Sequence, residues 1–518
     1  MAKNLYLISS NRRSGKSNMA LGIMEVLMKD VEKVAFFRPI IHIDHGRSVE
    51  DNFSLIKKYF NLSLDYDEMY AYTYDEAESL VNKGKYDELI DNIVEKYKRL
   101  ADAHNFVLIE GTDYRGNIAI LEHINAKIAD VLSSPILILT PARDREIEKI
   151  MESIQYYIDL FTGMGCKIVG TIVTRAKEER CHKYLGYLIK QPVFENKFVA
   201  VMPESSLINT PTMGEIANFL KATIISGEDQ LIKQVRHYST ADMNLGNFLW
   251  TLQDSSMIIT SADRVEILLG SILANQSMDF PDISGIILTS AQNIDERILT
   301  LIKKLPSSIP ICTVPDTVQD TLKKLENLKI TLLPENKQKI AIAHRIFDAY
   351  IDKKKLAQTV IASSTDRITP KMFEFSLIEK ARKKKMHIVL PEGIDERMLR
   401  ATETLVLRDV VNITLLGNQE QILQKINELG LSIKNVTIID PLNSEKLEEY
   451  ADILYDLRKN KGMTKDHSVS TMTDVNYYGT MMVHLGDADG MVSGAIHSTA
   501  NTVRPAFQII KTVPGIPV

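Results

Sequence analysis

Small, hydroxyl-bearing and cationic side chains are concentrated in one short stretch towards the end of the sequence. Residues 487–512 read DADGMVSGAIHSTANTVRPAFQIIKT. A turn of small residues lets backbone N–H groups approach a phosphate closely, and hydroxyl groups can donate further hydrogen bonds to it. An arginine adds the forked donor geometry that suits phosphate. We therefore predict that an anionic substrate binds here without a metal ion, through Ser493, Gly494, His497, Ser498, Thr499 and Arg504.

His497 has two roles open to it. Its ring could donate to the substrate or position the loop, and the competing interpretation is a structural hydrogen bond beneath the loop. Neither role makes it the general base.

A second candidate segment reads LPEGIDERMLRA, residues 390–401. It places Glu392 and Arg397 at the end of a predicted strand and the start of the helix that follows. Ligands of α/β folds bind at the carboxyl ends of strands, so both residues are candidates for substrate binding. A solvated helix cap is the alternative.

A phosphate-binding loop is indicated near the start of the sequence. Residues 10–17, SNRRSGKS, follow the apolar run LYLIS and precede the helical pattern NMALGIMEVLMK. In such a loop the backbone N–H groups cradle phosphate, while lysine adds a charge and serine can hold Mg²⁺. Gly15, Lys16 and Ser17 are therefore candidate nucleotide-binding residues, although Ser10 replaces the first glycine of the pattern. A solvated turn rich in arginine and lysine is the alternative.

The elements that must position these residues are predicted from alternating apolar runs and helical patterns. Short β-rich runs such as VAFFRPI, FVLIEG, SGIILTS, MHIVLPEG and VNITLLG alternate with amphipathic stretches. This alternation predicts an α/β protein with parallel sheets covered by helices. Proline and polar segments indicate three domains, at residues 1–205, 206–355 and 356–518.

The composition excludes several classes of protein. The 518 residues carry a formal net charge of -5, and 45% of them are hydrophobic. A chain of this kind is not expected to bind nucleic acid, and without an apolar run of membrane-spanning length it is expected to be cytoplasmic. Three scattered cysteines predict neither a disulfide framework nor a zinc site. His42, Asp44 and His45 are interpreted as surface or capping residues, so no metal site is predicted.

The first two predicted domains resemble the regulatory half of long-form phosphate acetyltransferases. SGKSNMALG, VAFFRPI and FVLIEGTDY resemble the dethiobiotin-synthetase-like P-loop module of these proteins, and residues 206–330 resemble their DRTGG-type domain. In catalytic relatives of the module an acidic residue after the third such strand helps to hold metal and substrate, which points to Glu110 and less firmly to Asp113. The resemblance implies a regulatory module with a possible nucleotide effector.

The third predicted domain resembles the first part of the phosphate acetyl/butyryltransferase domain over residues 376–514, on the two segments MFEFSLIEKARKKKMHIVLPEGIDERMLRATETLVLRDVVNITLLGN and DVNYYGTMMVHLGDADGMVSGAIHSTANTVRPAFQIIKTVPG. The resemblance implies acetyl transfer between coenzyme A and inorganic phosphate, with coenzyme A and acetyl-CoA as substrates and no prosthetic group. It places the counterpart of Arg504 in coenzyme A binding, and it implies a homo-oligomer.

The same resemblance implies an Asp base and a Ser–Arg pair in a later Asn-Asp-Leu-Ser-Arg-type segment. This sequence lacks that string, so the catalytic residues are expected beyond Val518 and the chain is expected to stop within its catalytic domain. Two alternatives stay open. One is an ATP-dependent ligase of the dethiobiotin-synthetase type, and the other is a non-enzymatic nucleotide-sensing fragment.

Overall fold

Parallel sheets are built from the apolar runs throughout the described part of the chain. The computed structural model describes residues 2–11, 14–42, 51–112, 118–277, 279–290, 296–304, 309–328, 330, 332–363 and 367–512. Two compact units are formed, one by residues 1–369 and the other by residues 370–518. Both are α/β, which confirms the predicted fold class. The three predicted domain boundaries stay predictions.

The first sheet of residues 1–369 is entirely parallel, in the order β3-β2-β4-β1-β5-β6-β7. Its central strands are almost completely buried, as expected for runs without polar alternation in a parallel sheet. Its strands are β1 (Lys3–Ser9), β2 (Val34–Ile41), β3 (Tyr70–Thr73), β4 (Phe106–Glu110), β5 (Ile136–Pro141), β6 (Ile168–Ala176) and β7 (Phe198–Pro203). The helices that connect them are α1 (Lys16–Asp30), α2 (Asp51–Tyr59), α3 (Tyr74–Asn82), α4 (Tyr86–Ala103), α5 (Ile118–Val131), α6 (Ile147–Gly163) and α7 (Cys181–Leu188).

A second sheet in the same unit has the order β8-β12-β11-β10-β9, and only the edge strand β8 is antiparallel to its neighbour. Its strands are β8 (Thr223–Ser226), β9 (His237–Thr240), β10 (Ser256–Ser261), β11 (Gly285–Thr289) and β12 (Ile311–Thr313). The helices of this region are α8 (Ser206–Asn209), α9 (Met213–Leu220), α10 (Leu245–Leu249), α11 (Val265–Asn275), α12 (Glu296–Lys304), α13 (Val318–Glu326), α14 (Lys337–Tyr350) and α15 (Lys353–Ala362).

Helix α14 joins the two sheets of this unit. It packs on α1 and β7 beside the first sheet. Phe347 lies so close to Gly22 of α1 that a Cβ there would come within 2.3 Å of the phenyl ring. At its other end Lys339 is buried and donates to both carboxylate oxygens of Glu215 on α9, at 2.9 and 2.7 Å. The helix is therefore fixed both to the phosphate-loop helix and to the second sheet.

Residues 370–518 form a third sheet, wholly parallel, in the order β15-β14-β13-β16. Its strands are β13 (Met386–Leu390), β14 (Val411–Leu416), β15 (Thr437–Ile439) and β16 (Gly490–Met491). The helices of this unit are α16 (Pro370–Lys383), α17 (Glu396–Leu407), α18 (Gln419–Glu428), α19 (Leu447–Arg458), α20 (Lys465–Met472), α21 (Val475–Leu485) and α22 (Thr499–Ile509). Two apolar clusters, one on each set of helices, fill its interior.

Candidate functional site

Two loops meet at one edge of the third sheet. Strand β13 pairs with β16 in parallel, with Val389 opposite Met491, so the segments after both strands leave the sheet on the same side. Glu392 follows β13, and the loop of residues 492–498 follows β16. The structure thus brings together two segments that lie about a hundred residues apart in the sequence.

The Glu392 carboxylate is the centre of this arrangement. Its Oε2 atom accepts hydrogen bonds from the backbone N–H groups of Gly494 and Ala495, at 3.0 and 2.7 Å. Its Oε1 atom accepts from the N–H groups of Ile496 and His497, both at 2.8 Å. The Nδ1 atom of the His497 ring lies 2.9 Å from the same oxygen. Five donors therefore converge on one buried carboxylate.

These donors keep Glu392 ionised. Burial alone would raise the pKa of the carboxyl group, but hydrogen bonds from the backbone of Ile496, His497 and Ala495 and from the His497 ring outweigh it. The pKa of Glu392 falls to about 2. The carboxylate is consequently charged at any pH at which the protein would work.

Arg397 holds the same loop from its other side. Its guanidinium donates to Asp395, which caps the start of α17, and one nitrogen also donates to the carbonyl of Ala495. Hydrogen bonds from this guanidinium lower the pKa of Asp395. Arg397 is largely exposed at the protein surface, with 69% of its side chain accessible. Arg397 therefore contacts the loop at Ala495 as well as the start of α17, so it is more than a solvated helix cap.

The backbone donors of the loop are already used within the protein. We predicted that the turn at Ser493 and Gly494 would offer its N–H groups to a phosphate, whereas the N–H groups of residues 494–497 donate to Glu392. The reason is the neighbouring carboxylate, which sequence spacing does not reveal. The N–H groups of residues 494–497 are therefore not free for a substrate.

Ser493 and Gly494 are placed by two different constraints. The Ser493 hydroxyl donates to Oδ1 of Asn476 on α21, at 2.8 Å. Gly494 has a φ of 113°, a conformation that residues with a side chain rarely adopt. Asn476 is completely buried, and its Nδ2 atom bonds no described residue. Sequence reasoning missed Asn476, because a single amide within an apolar helical pattern gives no signal.

Ser498, Thr499 and Arg504 lie at the beginning of α22. Ser498 is the N-cap, and its hydroxyl accepts from the N–H of Asn501. Ser498 and Thr499 are exposed, and so is Arg504 on the second turn. A helix N-terminus carries a partial positive charge and unpaired N–H groups, both of which favour an anion. This exposed end can bind phosphate through hydroxyl and N–H groups while Arg504 supplies full charge.

A further polar cluster in this unit surrounds Asp487. Its carboxylate accepts from Lys446 at 2.7 Å and also from the Tyr450 hydroxyl, and these hydrogen bonds lower its pKa. Tyr450 packs beside Tyr478, whose hydroxyl meets that of Ser444. Asp487 is therefore bonded to the start of α19.

The phosphate loop of residues 1–369 has the expected strand, loop and helix order. Gly15 adopts a φ of 82° immediately before α1. Because β1 and β4 are neighbours, Lys16 and Glu110 come together at one edge of the sheet. The Lys16 ammonium donates to the carbonyl of Gly111 at 2.7 Å and lies 3.9 Å from Glu110.

Glu110 is completely buried behind this loop. One nitrogen of the Arg38 guanidinium lies 3.8 Å from its Oε1 atom. Neither carboxylate oxygen makes a hydrogen bond with any described residue. Glu110 does not line the cleft in front of the loop. Its predicted part in nucleotide binding stays a prediction.

A cleft of about 440 Å³ opens in front of the phosphate loop. Ser17 lines it beside Ser14, whose buried hydroxyl bonds no described residue. Apolar side chains from the segment before α14 and from α14 itself also line it, namely Leu328, Ile330, Leu332, Ala343 and Ile346. The cleft therefore combines a loop suited to phosphate with side chains suited to an apolar group.

Other candidate residues have plain structural positions or lie outside the described residues. His42 stacks on Tyr74 with ring centroids 4.6 Å apart. Asp44, His45 and Asp113 fall outside the described residues. Within the described ranges the three cysteines are buried and free, and no group of three or more His, Cys, Asp or Glu side chains could hold a metal ion. No helix there is both long and apolar enough to cross a membrane.

Comparisons with known proteins match all three parts of the chain. The family model for phosphate acetyl/butaryl transferase matches residues 372–518, the model for the DRTGG domain matches residues 215–328, and a model for an AAA domain matches residues 3–225. The first match makes the edge with Glu392 and α22 part of an acyltransferase domain.

Similar curated proteins match along the whole chain. A phosphate acetyltransferase from Nitratidesulfovibrio vulgaris is 40% identical over 521 residues, covering 100% of this chain and 74% of that protein. One from Synechocystis is 36% identical over 99% of this chain and 74% of its own length. Among solved structures, the EutD phosphotransacetylase from Staphylococcus aureus is 40% identical over 28% of this chain and 44% of that chain, with a TM-score of 0.26.

The chain belongs to the phosphate acetyltransferase family. Its members are acyltransferases, and it is the family that the sequence motifs resemble. The match extends across all three parts, whereas the alternative of a dethiobiotin-synthetase-type ligase depended on the first domain alone.

Proposed function

We propose that the protein catalyses reversible acetyl transfer between coenzyme A and inorganic phosphate, giving acetyl phosphate and free coenzyme A. The observation that supports this most directly is the exposed start of α22 beside the Glu392 loop. There the hydroxyl groups of Ser498 and Thr499 and the unpaired N–H groups of the helix face solvent, with Arg504 on the next turn. Coenzyme A and phosphate are both anions, and this end of α22 is suited to bind them.

The roles of the described residues in this reaction are binding and positioning. Ser498, Thr499 and Arg504 would hold the phosphate groups by charge-assisted hydrogen bonds. The Nε2 atom of His497 would contribute a further contact, because His497 directly precedes Ser498, the N-cap of the same helix. The chemical step itself is not assigned to any of these residues.

An enzymatic assay tests this proposal. The protein, purified at its full native length, is incubated with acetyl-CoA, and the release of free thiol is followed with and without phosphate. Arg504→Ala is expected to raise the KM for acetyl-CoA by about tenfold or more, as loss of one charge-assisted phosphate contact would. Arg400→Ala is the control, because Arg400 is also exposed but pairs with Glu396 on α17. Thiol release that does not depend on phosphate would refute the proposal.

We also propose that the cleft at the phosphate loop binds a nucleotide effector. A phosphate group would lie on Gly15 and Ser17 at the N-terminus of α1, where the hydroxyl of Ser14 is buried without a described partner. The nucleoside would lie against Ile330 and Ile346. The effector is therefore expected to contact both the phosphate-loop domain and α14.

Calorimetric titration with ADP, and separately with inorganic phosphate, tests the nucleotide site. Ile346→Ala removes apolar surface from the nucleoside wall and is expected to weaken ADP binding by about tenfold while leaving phosphate binding unchanged. Ile342→Ala, on the same helix but outside the cleft lining, is the control. Equal loss in both variants, or the absence of ADP binding to the unaltered protein, would contradict the proposed site.

The protein is further proposed to form a homo-oligomer. Large apolar side chains are exposed beside the edge strand β16 and along α22, among them Val492, Ile496 and Phe507. Exposed large apolar side chains would be covered if this face met a second copy of the chain. Light scattering measured across a range of protein concentrations would show a mass above that of one chain, and a monomer at all concentrations would refute this proposal.

A further inference from the structure

Glu392 occupies a position that resembles an anion-binding site. Consecutive backbone N–H groups that converge on one point form a concavity that favours negative charge. In this protein the four N–H groups of residues 494–497 converge in this way, and the carboxylate that they bind belongs to the chain itself. The concavity is therefore filled before any substrate arrives.

We infer that Glu392 is a positioning residue of the acyl-transfer site. Its carboxylate fills this concavity permanently and fixes the loop of residues 494–498. It thereby orients His497 and Ser498 towards the substrate. This inference rests on the proposed acetyltransferase function. It assigns Glu392 a role other than the substrate contact that its sequence position predicts. The substrate phosphate binds outside the concavity, at the start of α22.

The surroundings of Glu392 favour a fixed carboxylate over one that the substrate displaces. Its side chain has no exposed surface. A Cβ on Gly393 would lie 2.7 Å from the carbonyl oxygen of Leu416, so the backbone behind the carboxylate is tightly packed. Displacing the carboxylate from its donors would leave a buried charge unpaired, which is strongly unfavourable. Arg397 also holds the carbonyl of Ala495 from the other side.

The same carboxylate determines which ring nitrogen of His497 carries a proton. An ionised carboxylate can only accept hydrogen bonds, so the Nδ1 atom 2.9 Å away must carry a proton. The Nε2 atom makes no hydrogen bond within the described part of the chain and is left for a ligand. It can accept a hydrogen bond when the ring is neutral and donate one when the ring is protonated. Ser498 follows directly and begins α22, so the loop aligns both groups.

The variant Glu392→Gln tests this inference, because it keeps the shape of the side chain and removes its charge. The amide offers one acceptor oxygen and places an NH₂ group against two N–H donors. Faster hydrogen exchange is expected at the backbone amides of residues 494–497, together with a changed ¹⁵N spectrum of the His497 ring. In the acetyl transfer assay kcat/KM is expected to fall by about tenfold to 100-fold, as for a displaced catalytic loop.

Two further variants complete the test. Glu396→Gln neutralises an exposed carboxylate four residues away and is expected to leave all three readouts unchanged. Glu392→Asp keeps the charge on a shorter side chain and is expected to give intermediate values, so it replaces Glu392→Gln if that variant does not fold.

Wild-type amide exchange and His497 spectrum in Glu392→Gln would overturn the inference. The inference would also be overturned if Glu392→Gln showed faster amide exchange in the loop but kept the kcat/KM of the unaltered enzyme. Absence of acetyl transfer in the unaltered protein would instead refute the proposed function, and the exchange and spectral readouts would still decide whether Glu392 fixes the loop.

Discussion

Removal of the buried Lys339 charge is predicted to release α14 from the second sheet. Lys339 and Glu215 are joined by two contacts of 2.7 and 2.9 Å, and their side chains are 1% and 13% exposed. Burial lowers the pKa of Lys339, and the hydrogen bond to Glu215 opposes that shift. At an effective dielectric constant of about 20 the attraction amounts to about 6 kcal/mol, which the cost of removing both charges from water largely offsets.

Removing one charge of the pair costs more free energy than removing both. Lys339→Met leaves the Glu215 carboxylate buried without its cation, which is expected to cost about 3–5 kcal/mol. Replacing both residues, by Lys339→Met and Glu215→Gln, removes the unpaired charge and is expected to recover most of that loss. Glu215 also accepts from the N–H of Thr212 at the start of α9, and glutamine retains one acceptor for that contact.

Hydrogen exchange of peptides that cover α9 and α14 is the appropriate assay, because a unit with two sheets need not unfold in a single step. A local loss of about 3 kcal/mol corresponds to exchange faster by about 100-fold. The control is Lys149→Met, since Lys149 pairs with Glu152 on an exposed helix face. Exchange within threefold of the unaltered protein, or a double variant less protected than the single one, would refute this reasoning.

Three further predictions concern stability and the loop. Because the pKa of Glu392 is lowered from 4.5 to about 2, its ionisation stabilises residues 370–518 by about 3 kcal/mol at neutral pH, and this contribution is lost as the pH falls from about 4.5 to 2. Acid unfolding of the protein should therefore become less steep in Glu392→Gln, and an unchanged profile would contradict the prediction. Gly22→Ala is expected to destabilise by about 1–3 kcal/mol in thermal unfolding, because the new methyl group would meet the Phe347 ring, whereas Gly186→Ala has open space and should be neutral or stabilising. Gly494→Ala forces a side chain into a φ of 113°, which costs about 1–3 kcal/mol. If the variant kept the KM for acetyl-CoA of the unaltered protein, the loop conformation would not matter for binding.

The long apolar runs allowed most of the fold to be predicted from the sequence. Strands β1, β5 and β6 are buried on both faces, and their continuous apolar composition indicates them directly. Strands β3, β8, β9 and β15 escaped prediction because each has only three or four residues and carries no more than partial burial. Short edge strands are defined by their pairing with a neighbour, which the sequence does not display.

The candidate site was predictable as a set of residues but not as an arrangement. Residue types alone indicated Ser498 and Arg504 as anion ligands, and those predictions stay to be tested. The hydrogen bonds from the loop to Glu392 could not be predicted, because they connect residues 102–105 positions apart in the sequence. Only the parallel pairing of β13 with β16 brings the two segments to one edge.

Formation of acetyl phosphate tests the central claim most directly. The protein, purified at its full native length, is incubated with acetyl-CoA labelled in the acetyl group and with inorganic phosphate, and the acyl phosphate is trapped with hydroxylamine. We predict labelled acetyl hydroxamate in equal amount to the thiol released, with both lost when phosphate is omitted. Thiol release without hydroxamate would indicate hydrolysis, and binding of acetyl-CoA without either product would likewise contradict acetyl transfer to phosphate.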